Sequence, residues 1–288
     1  MTDTLSEASF IDALAALAGD PAARGLRDDA AVVQFGGERL ILTHDTLVQG
    51  VHVREDEDPA DIVWKLVSVN LSDLAAKGAE PVGVLISHML GNGDERFVEG
   101  LGAVLAEYGV PLLGGDTVRA EGRRVWGCTA IGRATSDPVP DRRGAQVGDA
   151  VYVTGTLGRA MLGFEQSEGA HGLAYRRPVP RLAEGRALAS LVTAMMDVSD
   201  GLLLDCRRLA EASGVRIELD GGAIPVADPD RREECLRWGD DYELLFTAPA
   251  ATELPVAASR IGTVVAEGSA LLLDGRALSH ADGLGYSH

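Results

Sequence analysis

The chain has 288 residues, 46% hydrophobic and 24% charged, which is enough apolar material for a sizeable core and, by length, roughly two domains. A formal net charge of −18 excludes the basic footprint that a nucleic acid or an anionic membrane surface requires. No apolar run approaches the roughly 20 residues of a membrane span, and three widely spaced cysteines (Cys128, Cys206, Cys235) without a C-x-x-C give neither a disulfide framework nor a thiolate metal site.

In chain order, residues 1–7 have neither the basic region nor the apolar core of a signal peptide, so a cytoplasmic protein is expected. Residues 9–17 have the spacing of a short amphipathic helix, closed by Gly19-Asp20-Pro21. A polar loop leads to Arg27-Asp28-Asp29, and strands are expected over 30–35 and 39–43 about a Gly36-Gly37 turn. Pro59 stands where it would open a helix, and helical spacing runs over 60–77 until Gly78. Within it Leu66, Val69, Asn70 and Asp73 share a face, so a buried Asn and a buried Asp need partners there. Lys77 reads most simply as a cation at the helix C-terminus, and Trp64 as core. Residues 82–89 read as strand, 95–108 as helix and 124–133 as strand. The polar, breaker-rich stretch 134–144 separates two expected domains, 1–136 and 147–288. Beyond it a strand is expected over 150–154 and helices over 181–191 and 202–213, which makes the fold class α/β or α+β.

Aspartates recur just after short apolar runs, where a buried element would break into a turn. Asp45 follows Leu40-Ile41-Leu42, Asp116 follows Leu112-Leu113-Gly114-Gly115, and Asp197 and Asp200 follow Ala194-Met195-Met196. Carboxylates gathered in one place repel one another and persist when a cation sits among them, and a hard divalent ion with oxygen ligands is the usual occupant. Because Mg2+ keeps waters and is shared with substrate phosphates, a magnesium-dependent enzyme acting on phosphates is the first expectation. Each segment alone has a plainer reading. Asp28-Asp29 suits a turn or cap, Gly114-Gly115-Asp116-Thr117 a tight turn, and Asp197-Val198-Ser199-Asp200-Gly201 the cap of the next helix, although glycines beside a Thr and a helix N-terminus also suit phosphate. Ser199 has no His and Asp arranged with it as a nucleophile would need, which leaves it a hydrogen-bonding role.

Taken together and in order, Asp28-Asp29-Ala30-Ala31, Thr43-His44-Asp45-Thr46-Leu47-Val48 with Gly50-Val51-His52, Val69-Asn70-Leu71-Ser72-Asp73-Leu74-Ala75-Ala76-Lys77-Gly78-Ala79, Gly114-Gly115-Asp116-Thr117, Asp197-Val198-Ser199-Asp200-Gly201-Leu202 and Asp241-Tyr242-Glu243-Leu244 resemble the thiamine-monophosphate kinase family. The resemblance covers nearly the whole chain. It implies a two-domain fold like that of the aminoimidazole ribonucleotide synthetases, with mixed sheets and flanking helices, and transfer of the γ-phosphoryl of ATP to thiamine monophosphate. It implies Asp29, Thr43, His44, Asp45, Asp73, Asp116, Asp197 and Asp200 as ligands of several Mg2+ ions. It further implies Gly115, Asp116, Arg133 and Ser199 as ATP contacts, His52 and Asp240 as positions facing thiamine monophosphate, and a homodimer paired through its N-terminal sheets. Tyr286 is either an aromatic wall for the thiamine rings or part of a frayed tail. Without an activated nucleophile, direct in-line transfer is expected. The alternatives are another ATP-dependent synthetase of the same superfamily and a catalytically silent nucleotide- or metal-binding module. The chain departs from the family's pattern at Arg27 (usually Gly), at His44 (usually Thr), at Asp240 (usually Glu, after a longer run) and near Gly283, where a Trp is expected.

Overall fold

The computed structural model describes residues 6–266 and 271–286, so residues 1–5 of the stretch compared with a signal peptide lie outside the described residues. Helix α1 (Glu7–Ala15) is followed by β1 (Ala31–Phe35), β2 (Glu38–Val48), α2 (Pro59–Ala76), β3 (Ala79–Met89), α3 (Asp94–Tyr108), β4 (Leu112–Val118) and β5 (Val125–Ala134). Then come β6 (Asp149–Val153), α4 (Arg159–Glu165), α5 (Gly169–Arg176), α6 (Leu182–Leu188), β7 (Ala194–Asp197), α7 (Leu202–Ser213), β8 (Arg216–Leu219), α8 (Arg232–Trp238), β9 (Leu244–Pro249), β10 (Ser259–Val265), β11 (Leu271–Leu273) and β12 (Arg276–Leu278). The strands form two sheets, ordered β1-β2-β5-β3-β4 and β12-β11-β8-β10-β6-β9-β7. Each mixes antiparallel pairs with one parallel pair, β3 with β4 and β8 with β11.

Helix α2 decides how the two sheets meet. Pro59 fits its first turn with a fixed φ, and the Asp58 carboxylate accepts the Ala60 amide at 2.9 Å as N-cap. Most of the helix is buried, its polar residues included. Val63, Leu66, Val67, Leu71 and Leu74 pack with Ile41, Val84, Cys128 and Ala130 of the first sheet. The last turn, Ala75 and Ala76, packs instead with Tyr152, Met195, Leu244 and Phe246 of the second. A helix covered on every side is held by tertiary packing more than by propensity. Helix α7 closes another core of the second sheet, with Leu202, Cys206 and Leu209 packing among Val151, Met196, Ile217 and Leu245.

Residues 112–118, read from the sequence as an apolar run breaking into a turn, form β4 instead. This edge strand pairs in parallel with β3 and is exposed along its length. Gly115 permits the pairing, because a Cβ there would stand 1.8 Å from the Ile86 carbonyl oxygen. Among the described residues no helix is long and apolar enough to cross a membrane.

Candidate active site

Lys65, Val69, Asp73 and Lys77 recur every four residues and so form one stripe along α2. The Lys65 and Lys77 side chains are fully buried, while Asp73 keeps part of its surface open to a cavity. Around Asp73 the fold gathers carboxylates. Asp29 comes from the loop before β1 and Asp197 from the end of β7, and with Asp73 they bring one oxygen each to within 4.8 Å of one another. Asp45, inside β2, lines the same cavity as Asp73 and adds to the negative charge around it. Its amide donates to Asn70 Oδ1 at 3.1 Å, and Asn70 Nδ2 donates to Leu66 O at 2.9 Å, so the buried Asn has the partners its position required.

Neutral donors serve the carboxylates nearest the cavity. Thr43 Oγ1 donates to Asp73, and Ser72 Oγ donates to Asp197 at 2.5 Å. Burial, reinforced by Asp45, Asp197 and Asp29, pushes the Asp73 carboxyl well above its ordinary range. Burial and the neighbouring Asp29 push Asp197 up to about 8. Burial pushes Asp45 up to about 6 against the pull of His44. At Asp29 burial acts in the same direction, but Arg142 and Lys77 outweigh it and hold that carboxyl below its usual value. Carboxylate oxygens this close, with Asp73 and Asp197 served by hydroxyls and Asp29 by Arg142 and Lys77, are a donor set that could hold a hard divalent cation.

Sequence reasoning missed the cations on the inner side. Lys77 is no solvent-facing cation at a helix end: its Nζ lies 2.5 Å from Asp28 Oδ1 and 2.7 Å from Asp29 Oδ2. Two carboxylates within hydrogen-bond distance outweigh the weak field of a helix terminus. Arg142 holds Asp29 through Nε at 3.0 Å, and Arg24 pairs with Asp28. The four-residue spacing of Lys65, Asp73 and Lys77 was the signal available for them.

A cavity of about 440 Å3 opens from the carboxylates. Asp45, Asp73, Asp197, Ser199 and Asp200 line it as an acidic group, Phe164, Tyr175 and Trp238, whose rings pack together, line it as an aromatic group, and Tyr286 lies beside Asp200. Asp205 fixes the loop after β7 by accepting the Ser199 and Asp200 amides at 3.1 Å each, and Arg208 bonds both Asp200 and Asp205. Residues 239–242 are strapped to that loop. Asp240 N–H donates to Ser199 O at 2.7 Å and Tyr242 N–H to Val198 O at 2.8 Å. Gly239 makes the close approach possible, since φ is +86° and a Cβ would lie 2.3 Å from Ser199 O.

Asp240 thus reaches the cavity, where it accepts the Lys65 ammonium and, at 3.0 Å, the Tyr242 hydroxyl. Lys65 also donates to His52 O at 3.3 Å and stands 4.1 Å from the centre of the Tyr175 ring. His52 lies in the turn after β2, and its Nδ1 accepts the Val48 amide at 3.0 Å, which puts the proton of the neutral ring on Nε2. The tail is docked as far as Tyr286, whose amide donates to Asp200 O at 2.9 Å, while Arg237 holds the carbonyls of Asp282 and Gly283.

Some of the candidate residues are not brought to the carboxylates. Across β2, β5, β3 and β4 one row is Asp45, Cys128, Ile86 and Gly115, and the next is Thr46, Gly127, Ser87 and Asp116. Successive rows face opposite sides of a sheet, and three strand spacings amount to roughly 14 Å. Asp116 therefore shares the open face with Thr46 and with His44, whose Nδ1 meets Thr129 Oγ1 at 2.9 Å. Arg133 is exposed and pairs with Glu38 at 3.3 Å.

The comparisons with known proteins match this architecture. Residues 27–134 match the family model of the AIR synthase related protein, N-terminal domain, and residues 146–273 that of its C-terminal domain. The chain is 37% identical to the thiamine-monophosphate kinase of Salmonella typhimurium over 267 residues, which cover 83% of this chain and 81% of the relative. It is likewise 37% identical to the thiamine-monophosphate kinase of Caulobacter vibrioides over 276 residues, covering 86% and 78%. The chain belongs to the thiamine-monophosphate kinase family of AIR synthase related proteins. Within this family the solved structure of AaThiL complexed with AMPPCP and TMP has a TM-score of 0.89 and 29% identity, covering 100% of both chains. The two-domain AIR synthase-like fold that the motifs implied is the fold of this chain.

Proposed function

We propose that the chain phosphorylates thiamine monophosphate with ATP to give thiamine diphosphate, with Mg2+ held by Asp29, Asp45, Asp73, Asp197 and Asp200. The observation that carries this reading is the cavity itself, lined by a cation-seeking acidic group and an aromatic group, in a fold that covers the whole of AaThiL complexed with AMPPCP and TMP. Bound Mg2+ would neutralise the phosphates of both substrates and the charge that develops between them.

The chain's own residues do the rest by holding and orienting. Phosphates belong by the carboxylates beside Ser199. The cationic thiazolium suits Asp240 and the faces of Phe164, Tyr175 and Trp238, with Tyr286 and His52 closing the cavity. Among the described residues no His, Asp or Glu side chain is hydrogen-bonded to the Ser199 hydroxyl as a general base would be, which favours direct in-line transfer. Gly115, Asp116, Arg133, Thr43 and His44 belong to the first sheet, and the first three meet ATP where it extends along that sheet. Its exposed face and edge carry Leu112, Leu113, Val118 and Val125. Apolar side chains on an open edge strand are what a second copy would cover, and a homodimer working in the cytoplasm completes the reading.

Incubation with ATP, Mg2+ and thiamine monophosphate, followed by chromatography, is expected to give thiamine diphosphate and ADP in equal amounts, and EDTA is expected to stop it. ADP released only with other oxyanion acceptors would favour a different synthetase of the superfamily. No turnover with any acceptor would leave a silent binding module.

A further inference from the structure

The acidic cluster has two differently served sides. On the inner side Lys77 is fully buried, with its Nζ 2.5 Å from Asp28 Oδ1, 2.7 Å from Asp29 Oδ2 and 3.3 Å from Met195 O. Arg24 pairs with Asp28, and Arg142 pairs with Asp29. On the cavity side Asp45, Asp73 and Asp197 form no ion pair with a lysine or arginine among the described residues, and the donors to Asp73 and Asp197 are the hydroxyls of Thr43 and Ser72. Asp28, Asp29, Asp45, Asp73 and Asp197, when ionised, face the fixed cations Lys77, Arg24 and Arg142, and Asp200 and Asp205 share Arg208, so the uncompensated negative charge lies on the cavity side, where a divalent ion would neutralise it.

We infer that Lys77 is a built-in counter-cation that takes the place of a metal ion on the inner side of the cluster, leaving the cavity side to bind divalent metal, with Asp29 shared between them. This rests on the magnesium reading above. The Lys77 ammonium donates to Asp28 and to the Met195 carbonyl and stands 2.7 Å from Asp29 Oδ2, so its charge is committed to the inner side of the cluster. A lysine serving packing alone would affect stability and leave metal affinity unchanged.

The test is Mn2+ binding to the full-length protein without nucleotide, followed by the loss of the free-ion signal in electron paramagnetic resonance, together with thermal unfolding in EDTA. Wild-type protein is expected to bind Mn2+ at the cluster. Lys77→Met adds one uncompensated negative charge and is expected to tighten binding by about tenfold or more while lowering the metal-free melting temperature. Asp28→Asn is expected to weaken binding, and Asp28→Asn with Lys77→Met, which removes one charge of each sign, to restore the wild-type affinity. If Lys77→Met fails to fold without metal, Asp28→Asn against the double variant makes the same comparison, and the added Lys77→Met should again tighten binding about tenfold. Equal Mn2+ affinity with and without Lys77, in either background, overturns the inference while leaving the magnesium reading standing. Absence of Mn2+ binding to wild-type protein with and without AMPPCP removes the magnesium reading, and this inference with it.

Discussion

Asp73 and Asp240 show how opposite surroundings give the same residue type opposite consequences. Asp73 is pushed well above its ordinary range by burial and by three neighbouring carboxylates, so its ionised form destabilises the metal-free protein. Asp73→Asn is accordingly expected to raise the melting temperature in EDTA and to lower kcat with Mg2+ by about two orders of magnitude or more, as loss of a group that acts in the transition state does. Full activity of the variant would remove Asp73 from the metal ligands. Asp240, by contrast, is the carboxylate partner of the buried Lys65. In the proposed complex Asp240 also faces the thiazolium, and losing a charged partner of this kind costs about 1.5–3 kcal/mol, or roughly one to two decades in affinity. Asp240→Asn is expected to raise KM for thiamine monophosphate by that factor and KM for ATP much less, while Asp240→Glu, which keeps the charge, retains more activity. Equal effects on both KM values would place Asp240 with the metal ligands instead.

At the scale of elements, the legible parts were those whose signals are local. Pro59 and the stop at Gly78 delimit α2 within the sequence itself, and Gly36-Gly37 marks the turn between β1 and β2. β4 was misread because its identity depends on pairing with β3, and a Gly-Gly-Asp segment by itself says turn. The short elements α4, α5, α8 and β8 to β12 carried no periodicity long enough to read, and the helix expected over 181–191 ends at Leu188. Partners were the least legible feature, since Lys65 and Asp240 stand 175 positions apart and Arg142 and Asp29 stand 113 apart. Distance along the chain also explains why the strap at 239–242 was invisible beforehand. Gly239→Ala would force a Cβ against Ser199 O at positive φ, a strain of about 1–3 kcal/mol. The expected result is a lower urea midpoint together with a raised KM for thiamine monophosphate. An unchanged midpoint and KM would show that the strap does not position the substrate.

For the whole molecule, the buried carboxylates tie stability to pH in a direction opposite to that of ordinary salt-bridged acids. Burial, aided by Asp29, raises Asp197 from 3.8 to about 8, and burial raises Asp205 from 3.8 to about 7 against the pull of Arg208. Between the unfolded and folded values the folded chain holds protons that the unfolded chain has released, so unfolding releases protons and stability falls as pH rises. Asp29, held below its usual value, titrates outside this window. From pH 6 to 8 each such group contributes a slope of up to about 1.4 kcal/mol per pH unit, fading once pH passes its folded value. Metal-free protein in EDTA is therefore expected to have a urea midpoint that drops steadily from pH 6 to 8, and Asp197→Asn is expected to flatten the trend. Saturating Mg2+ with AMPPCP should flatten it as well, because bound cations favour the ionised carboxylates that the empty cluster disfavours. A midpoint that rises over the same range would mean that these carboxyls are already ionised in the metal-free fold, and that the cluster's charge is relieved by something other than retained protons.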